Sequence, residues 1–403
     1  MLAVLVLGLL APAAAAAGLT ATRTTLEREL RRAGSQSGAM AIDLETGQQV
    51  FARRATTPRV PASVNKLNTT AALLRRLGPE ATLFTDVLVP APAQDGVVDG
   101  NLFLRGGGDP TFGPRQARGL ARGLAAGGIK RVTGRVIGDE SLFDTLRGPP
   151  STGFRTSQWV GPISALAYQR GLTEGGARFQ SRPALYAAQG FHAALRRAGI
   201  RVGRAARTGT APSGASLIMR MPSPPMRTLA ARTNVPSDNY AAETLIKVLG
   251  AQFAGEGTTA GGARVVSEAV SELGVQPRVV DGSGLSRANQ TSPAMMVTLL
   301  REMDESPDGR AFAASLPVAG RSGTLSGRMR GTPAEGRCRA KTGTLTGVSA
   351  LAGYCTTASG GRVAFAFLMN GVNPFSARQI QDRMTATLVA YESAPVGLGV
   401  SRR

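Results

Sequence analysis

Cys338 and Cys355 are the only cysteines in the chain, and they bracket the segment CRAKTGTLTGVSALAGYC. Residues 340–344 and 349–353 read as the two strands of a hairpin turning at Gly347. In that register residue 344 faces residue 349 and Cys338 falls opposite Cys355, where directly opposed strand positions lie within disulfide reach. A bridge and a pair of buried free thiols are both compatible with the sequence. The same hairpin carries Lys341, one of four lysines among 47 basic residues, the others being arginine. An arginine stays protonated in a protein, whereas a lysine can give up its proton when its surroundings favour the neutral amine. A lysine kept in so arginine-rich a composition points to proton chemistry, although for one lysine alone drift or a solvated strand charge serves equally well.

The segments around the hairpin give an order of elements. Residues 22–33 suit a helix, GAMAIDLETGQQVFA a hairpin turning at Glu45, Thr46 and Gly47, and PASVNKLNTTAALLRRLG a helix announced by Pro61. From about residue 88 to residue 224 the character changes, with a turn at Gln94, Asp95 and Gly96, a GGGDP turn at 106–110, a short helix at 114–127 and a Gly/Pro-rich stretch at 145–190. Helical patterns return in SDNYAAETLIKVLGAQF, ARVVSEAVSELG and SPAMMVTLLREM, followed by the 338–355 hairpin, the strand VAFAFLMNG and a closing helix at 376–392. The expectation is an α/β chain of the α+β kind, in which both ends share one antiparallel sheet flanked by helices and an inserted α+β module interrupts them. The corresponding division is 1–17 as signal peptide, 18–87 and 225–403 as two parts of a catalytic domain, and 88–224 as the insertion.

Composition narrows the setting. With 42% hydrophobic and 18% charged residues, a chain of 403 residues is an ordinary globular protein with ample core. LAVLVLGLL at 2–10 followed by APAAAAAG has the apolar run and small residues of a secretory signal, without the usual basic start. The mature chain is expected outside the cytoplasm, in the periplasm or elsewhere in the cell envelope. A formal charge of +21 raises the question of nucleic acid, but the arginines are scattered through every segment, aromatics are 5%, and the chain carries an export signal. An anionic envelope polymer is the more natural electrostatic partner.

Three short patterns carry chemistry. Ser63 and Lys66 stand three apart near a helix start, stacked on one face, so that a neutral amine can act as base for the hydroxyl. Ser63 there also feels the favourable end of the helix dipole as its oxygen gains charge. A lone Ser-x-x-Lys match is weak. Ser237-Asp238-Asn239 opens a second helix, where an ordinary N-cap would look the same. Lys341-Thr342-Gly343 lies on a strand on which Gly343 leaves room for another backbone, such as an extended peptide, to approach. The three patterns in this chain order, with two of the four lysines where the mechanism needs one, match the signature of penicillin-binding proteins and serine β-lactamases.

The resemblance extends over nearly the whole mature chain. PASVNKL, NLFLRGGGDPTF, VTGRVIGDESLFD, VDGSGLSRANQTSP, SLPVAGRSGTLSGR and AKTGTLTGVSALAGY are similar to the D-alanyl-D-alanine carboxypeptidase/endopeptidase family of low-molecular-weight, class C penicillin-binding proteins, peptidase family S13. The resemblance implies a serine β-lactamase/penicillin-binding-protein transpeptidase-like fold with an insertion between the first two motifs. It implies Ser63 as the acylated nucleophile, Lys66 as its base, and Ser237 and Lys341 as the pair that passes a proton to the leaving amine. Asn239 then binds the substrate amide, the N–H groups of Ser63 and Thr344 form the oxyanion hole, and the Thr342 and Thr344 hydroxyls, with Gly343 between them, hold the terminal carboxylate. Peptidoglycan stem peptides are the implied substrate and β-lactams the implied inhibitors, with no cofactor and no metal.

Other readings stand beside this one. A β-lactamase or esterase of the same fold would need a route for water to the acyl-enzyme, and no residue presents itself for that role. A non-catalytic peptidoglycan-binding scaffold would not need Ser63 and Lys66. The single histidine, His192, lies in a helical stretch of the insertion and reads as structural, which leaves lysine as the base; with two cysteines and one histidine a zinc peptidase is poorly supported. Arg287, closing the DGSGLSR motif, is either one more solvated arginine or a bidentate partner for a carboxylate on the substrate side chain, with the Thr346 hydroxyl lining the same pocket.

Overall fold

The computed structural model describes residues 10–392. Residues 1–9 of the expected signal peptide lie outside that range, and backbone from Leu10 onward belongs to a helix that runs to Arg32, longer than the 22–33 of the sequence reading. Among the described residues no helix is long and apolar enough to cross a membrane.

Both ends of the chain meet in one five-stranded antiparallel sheet. Its spatial order is Cys338–Leu345, Val348–Thr356, Arg362–Asn370, Ser37–Asp43 and Gln49–Arg53, so Ser37 pairs with Met369 across more than 300 residues of sequence. Strand 362–370 shows why the centre is stable. Ala364, Ala366 and Leu368 face a core shared with the helices Lys66–Leu77, Asn239–Phe253 and Pro293–Glu305. Phe365, Phe367 and Met369 face the helices Leu10–Arg32 and Pro374–Val389 on the other side. A strand covered on both faces reads as a continuous apolar run instead of an alternating one, as VAFAFLM does here. Strand 338–345 is an outer strand of the sheet; on its free side only residues 338–340 are bonded, in a short antiparallel bridge to residues 317–319.

Cys338 and Cys355 pair in register, as do Thr344 and Ser349, and the two sulfurs form a disulfide with Cα atoms 4.1 Å apart. Of the two sequence readings, the bridge is therefore the one the structure has. Cross-linking residues 17 apart removes freedom from the unfolded chain worth about 3 kcal/mol. It ties down the strand that bears Lys341.

Between the two stretches that share this sheet the chain builds further sheets. One has the order Ser216–Pro222, Phe84–Val89, Leu102–Gly106, Val136–Asp139 and Arg207–Thr208; a smaller parallel one joins 97–98, 131–132 and 201–202. The helices Pro114–Ala126 and Pro183–Arg197 pack with Val87, Leu104 and Val136 in a core of their own. His192 is half-buried on the second of these helices. That helix begins inside the stretch which its glycines and prolines had marked as irregular. Pro183 occupies its first turn, where a missing N–H costs nothing.

Candidate active site

The helix expected from Pro61 starts differently. Residues Ala62–Asn65 form a 3-10 turn and α-helical geometry begins at Lys66. In a 3-10 turn positions three apart eclipse one another, which sets Lys66 directly beneath Ser63. Lys66 Nζ lies 2.9 Å from Ser63 Oγ, 2.7 Å from Asn239 Oδ1 and 2.6 Å from the Ser283 carbonyl. An ammonium donates to all three. A neutral amine keeps two donors for Asn239 and Ser283 and turns its lone pair to the Ser63 hydroxyl, the arrangement a base requires. Burial pushes the Lys66 amine down to about 8, against the pull of Glu243, Asp281 and Asp238 toward the charged form.

A second serine–lysine pair faces the first. Lys341 Nζ meets Ser237 Oγ at 2.8 Å and the Thr342 carbonyl at 2.9 Å. Burial, and after it the charge of Lys66, pushes Lys341 well below the usual lysine range. Ser237-Asp238-Asn239 turns out to serve both as cap and as site. Asp238 is the N-cap of helix 239–253 and accepts from the Ala241 N–H at 3.2 Å, while Ser237 outside the helix and Asn239 inside it turn to the two lysines. Ser237 (φ 61°) and Ala62 (φ 48°), the residue before the nucleophile, both hold left-handed backbone that side chains other than glycine seldom adopt. Such strain persists only where the surroundings over-determine it, and it concentrates at functional sites.

Gly343 has a more local reason than the docking of a peptide. A Cβ there would lie 2.6 Å from the Pro61 carbonyl oxygen and 3.1 Å from Ser63 N. The backbone that approaches is the chain's own nucleophile turn, which brings the Ser63 amide against the strand next to Thr344. Beyond Ala340, whose N–H already donates to the Pro317 carbonyl, the other edge of this strand has no strand partner and is open to an extended peptide.

Ser63, Ser237, Thr342 and Thr344 line one cavity of about 510 Å³ together with Arg328 and Arg378. The Thr342 hydroxyl donates to Thr324 Oγ1 at 2.8 Å, and Arg378 Nη2 donates to Thr344 Oγ1 at 3.2 Å. Arg378, from the last helix, thus sets a cation beside the two hydroxyls expected to hold a carboxylate. Arg287 lies elsewhere. It is exposed and donates to the Thr346 backbone carbonyl, so Thr346 engages it through the main chain instead of through its hydroxyl, and neither residue lines that cavity.

A group of residues to which the sequence reading gave no role stands behind Lys66. Asn65 Nδ2 donates to the Asp281 carbonyl and Thr69 Oγ1 to the Gly282 carbonyl, which lays the DGSG segment along the helix. Gly284 (φ 82°) completes that approach, since a Cβ there would sit 2.0 Å from the Ala62 carbonyl oxygen. The Ser283 N–H donates to Glu243 Oε1 at 2.8 Å while its carbonyl accepts from Lys66. Glu243 and Asp281 are buried, and burial is the first cause raising both carboxyls above the usual range. Asp281 is held by N–H groups of Gly284 and Ser286. Glu243 had a signal in the sequence, since it follows Asn239 by one helical turn.

A hydroxyl at the mouth of a helix, backed by an amine whose burial eases loss of its proton, is the arrangement of an acyl-transferring serine enzyme. The sheet and helices around it have the fold of the penicillin-binding proteins. The model of the D-Ala-D-Ala carboxypeptidase 3 (S13) family matches residues 24–180 and 169–391, and the chain belongs to that family. A D-alanyl-D-alanine carboxypeptidase from an Actinomadura species is 30% identical over 455 residues, covering 92% of this chain and 84% of its own. Penicillin binding protein 4 from Haemophilus influenzae superposes with a TM-score of 0.78 at 22% identity, over 92% of this chain and 99% of that one. A predatory endopeptidase of Bdellovibrio bacteriovorus, solved acylated by penicillin G in complex with an immunity protein, gives 0.57 at 19% identity over 91% and 95%.

Proposed function

We propose that the protein is a serine DD-peptidase that opens the terminal D-Ala-D-Ala bond of peptidoglycan stem peptides through an acyl-enzyme on Ser63, and that β-lactams acylate the same hydroxyl. The contact of Lys66 Nζ with Ser63 Oγ at 2.9 Å carries this reading, and family membership supports it. Neutral Lys66 takes the hydroxyl proton as Ser63 Oγ bonds to the carbonyl carbon of the penultimate D-Ala. The N–H groups of Ser63 and Thr344 face the oxygen as it becomes negative. The carbon–nitrogen bond then breaks, and the proton returns through Lys341 and Ser237 to the leaving D-Ala amine. Water cleaves the resulting ester and regenerates Ser63. Asn239 holds the substrate amide, and Thr342 and Thr344, beside Arg378, hold the terminal carboxylate. Cleavage of cross-links is the same chemistry with a different leaving amine.

Residues 18–87 and 225–403 form the catalytic part in this reading and 88–224 the insertion. The apolar start of the chain directs export to the envelope, and the surplus of positive charge favours contact with anionic envelope polymers. Turnover of a D-Ala-D-Ala peptide together with stable labelling by a fluorescent penicillin is the expected result. Rapid β-lactam hydrolysis without peptide turnover would instead identify a β-lactamase.

The amine near 8 sets the pH profile. Only the neutral form of Lys66 accepts the proton, so kcat/KM should rise with pH through an acid limb at about 8 and run roughly tenfold below its plateau at pH 7. A flat profile from pH 6.5 to 9 would remove Lys66 from the role of base.

Arg287, anchored to the Thr346 carbonyl, supports a reading in which its remaining donors meet a carboxylate on the stem-peptide side chain. Arg287→Ala should then weaken turnover of peptides that bear such a carboxylate and leave penicillin acylation nearly unchanged. Equal losses for peptides with and without the group would show that Arg287 does not recognise it.

A further inference from the structure

The insertion touches the catalytic centre at the Ser237-Asp238-Asn239 turn. Asn239 Nδ2 donates to the Trp159 carbonyl at 3.2 Å, and an Arg170 Nη2 atom stands 2.6 Å from Asp238 Oδ2. The backbone that presents Arg170 is unusual. Gln169 (φ 50°), Arg170 (φ 57°) and Gly171 (φ 73°) are three consecutive residues in the left-handed region, two of them without the freedom of glycine. The turn is fixed from several sides: the Gln169 N–H donates to the Phe112 carbonyl at 3.0 Å, the Gly171 N–H to the Tyr168 carbonyl at 3.0 Å, and Gln180 Nε2 to the Tyr168 carbonyl at 2.9 Å. A strained turn in the insertion is thus locked by an ion pair onto a strained turn in the catalytic part, since Ser237 next to Asp238 is also left-handed.

We propose that Arg170 is a positioning residue for the acylation reaction: by pairing with the N-cap carboxylate of Asp238 it holds Ser237 against Lys341 and Asn239 against Lys66, and it offsets the charge that Asp238 directs at Lys66. This rests on the acyl-enzyme reading for its consequence and on the geometry for its test. The groups facing Lys66 are Asp238 and Glu243 from the helix 239–253 and its cap, Asp281 from the DGSG segment, and Lys341 from the outer strand. Asp238 itself faces Arg170 and the buried Tyr240 phenol. Taking away the guanidinium leaves Asp238 uncompensated, and an uncompensated anion favours the charged form of a nearby amine. The Lys66 midpoint must therefore move up.

With four lysines in the chain, a protein labelled at the lysine Cε carbon gives few resonances, and Lys66 can be titrated by nuclear magnetic resonance without any turnover. In Arg170→Gln, which keeps hydrogen-bond donors but no charge, the Lys66 midpoint should rise by about half a unit or more, and Arg170→Lys should return it close to the native value. Penicillin acylation at pH 7 should fall roughly tenfold in Arg170→Gln and recover in Arg170→Lys. If Arg170→Gln does not fold, Arg170→Met is titrated against Arg170→Lys with the same expectation. An unchanged Lys66 midpoint in the folded neutral variant overturns the proposal whatever the rate does. Absence of acylation in the native protein would count against the acyl-enzyme reading and leave the titration to decide on Arg170.

Discussion

Lys66→Arg should lose acylation by at least about 100-fold, within the range that a general base contributes, while the protein folds and keeps its formal charge. Lys66 is fully buried and spends its contacts on Ser63, Asn239 and Ser283. A guanidinium could satisfy Asn239 and Ser283 as a donor. It has no lone pair to turn toward Ser63 and does not lose its proton in a protein. The loss therefore separates base from mere cation, a distinction an alanine variant would blur by opening a cavity and stranding Glu243 and Asp281. The check is the rate constant for labelling by a fluorescent penicillin, measured beside the unfolding midpoint. A folded variant labelled at nearly the native rate would eliminate Lys66 as base.

Gly343→Ala is expected to be nearly as damaging through a single methyl group. The added carbon would meet the Pro61 carbonyl oxygen at 2.6 Å and the Ser63 amide nitrogen at 3.1 Å. Both are backbone atoms, so the relief comes by moving the nucleophile turn away from the strand. Ala62 is already strained there and Ser63 must aim at a reacting carbon; a displacement of about 1 Å at such a centre costs on the order of 100-fold in rate. Acylation kinetics should show the loss with Lys66 and Lys341 untouched. Labelling within a few-fold of native would mean that strand and turn have slack between them.

The parts of the fold that sequence periodicity and pairing fix were legible in advance. The hairpin register that sets Cys338 opposite Cys355 followed from the turn at Gly347, although the bridge itself did not, and the sharing of one sheet by both chain ends followed from the order of elements. What escaped was set by tertiary packing. The 3-10 start of the Ser63 helix depends on the DGSG segment pressing against Ala62, a contact more than 200 residues away in sequence. Asn65 and Thr69 look like ordinary helix surface until that segment is in place to accept their hydrogen bonds. Arg378 gave no signal among 43 arginines, because only the closing of the last helix over the sheet brings it to Thr344. Gly343 was recognised as a place of close approach, but the partner came from the chain itself.

The most direct test of the acyl-enzyme is to find the acylated atom. Trypsin should release residues 60–66 as VPASVNK, in which Ser63 is the only hydroxyl. After brief exposure to penicillin and denaturation, mass spectrometry should find one adduct per chain, on that peptide, and none in Ser63→Ala. An adduct on Ser237 or another residue, or a native protein that carries none, would contradict the account.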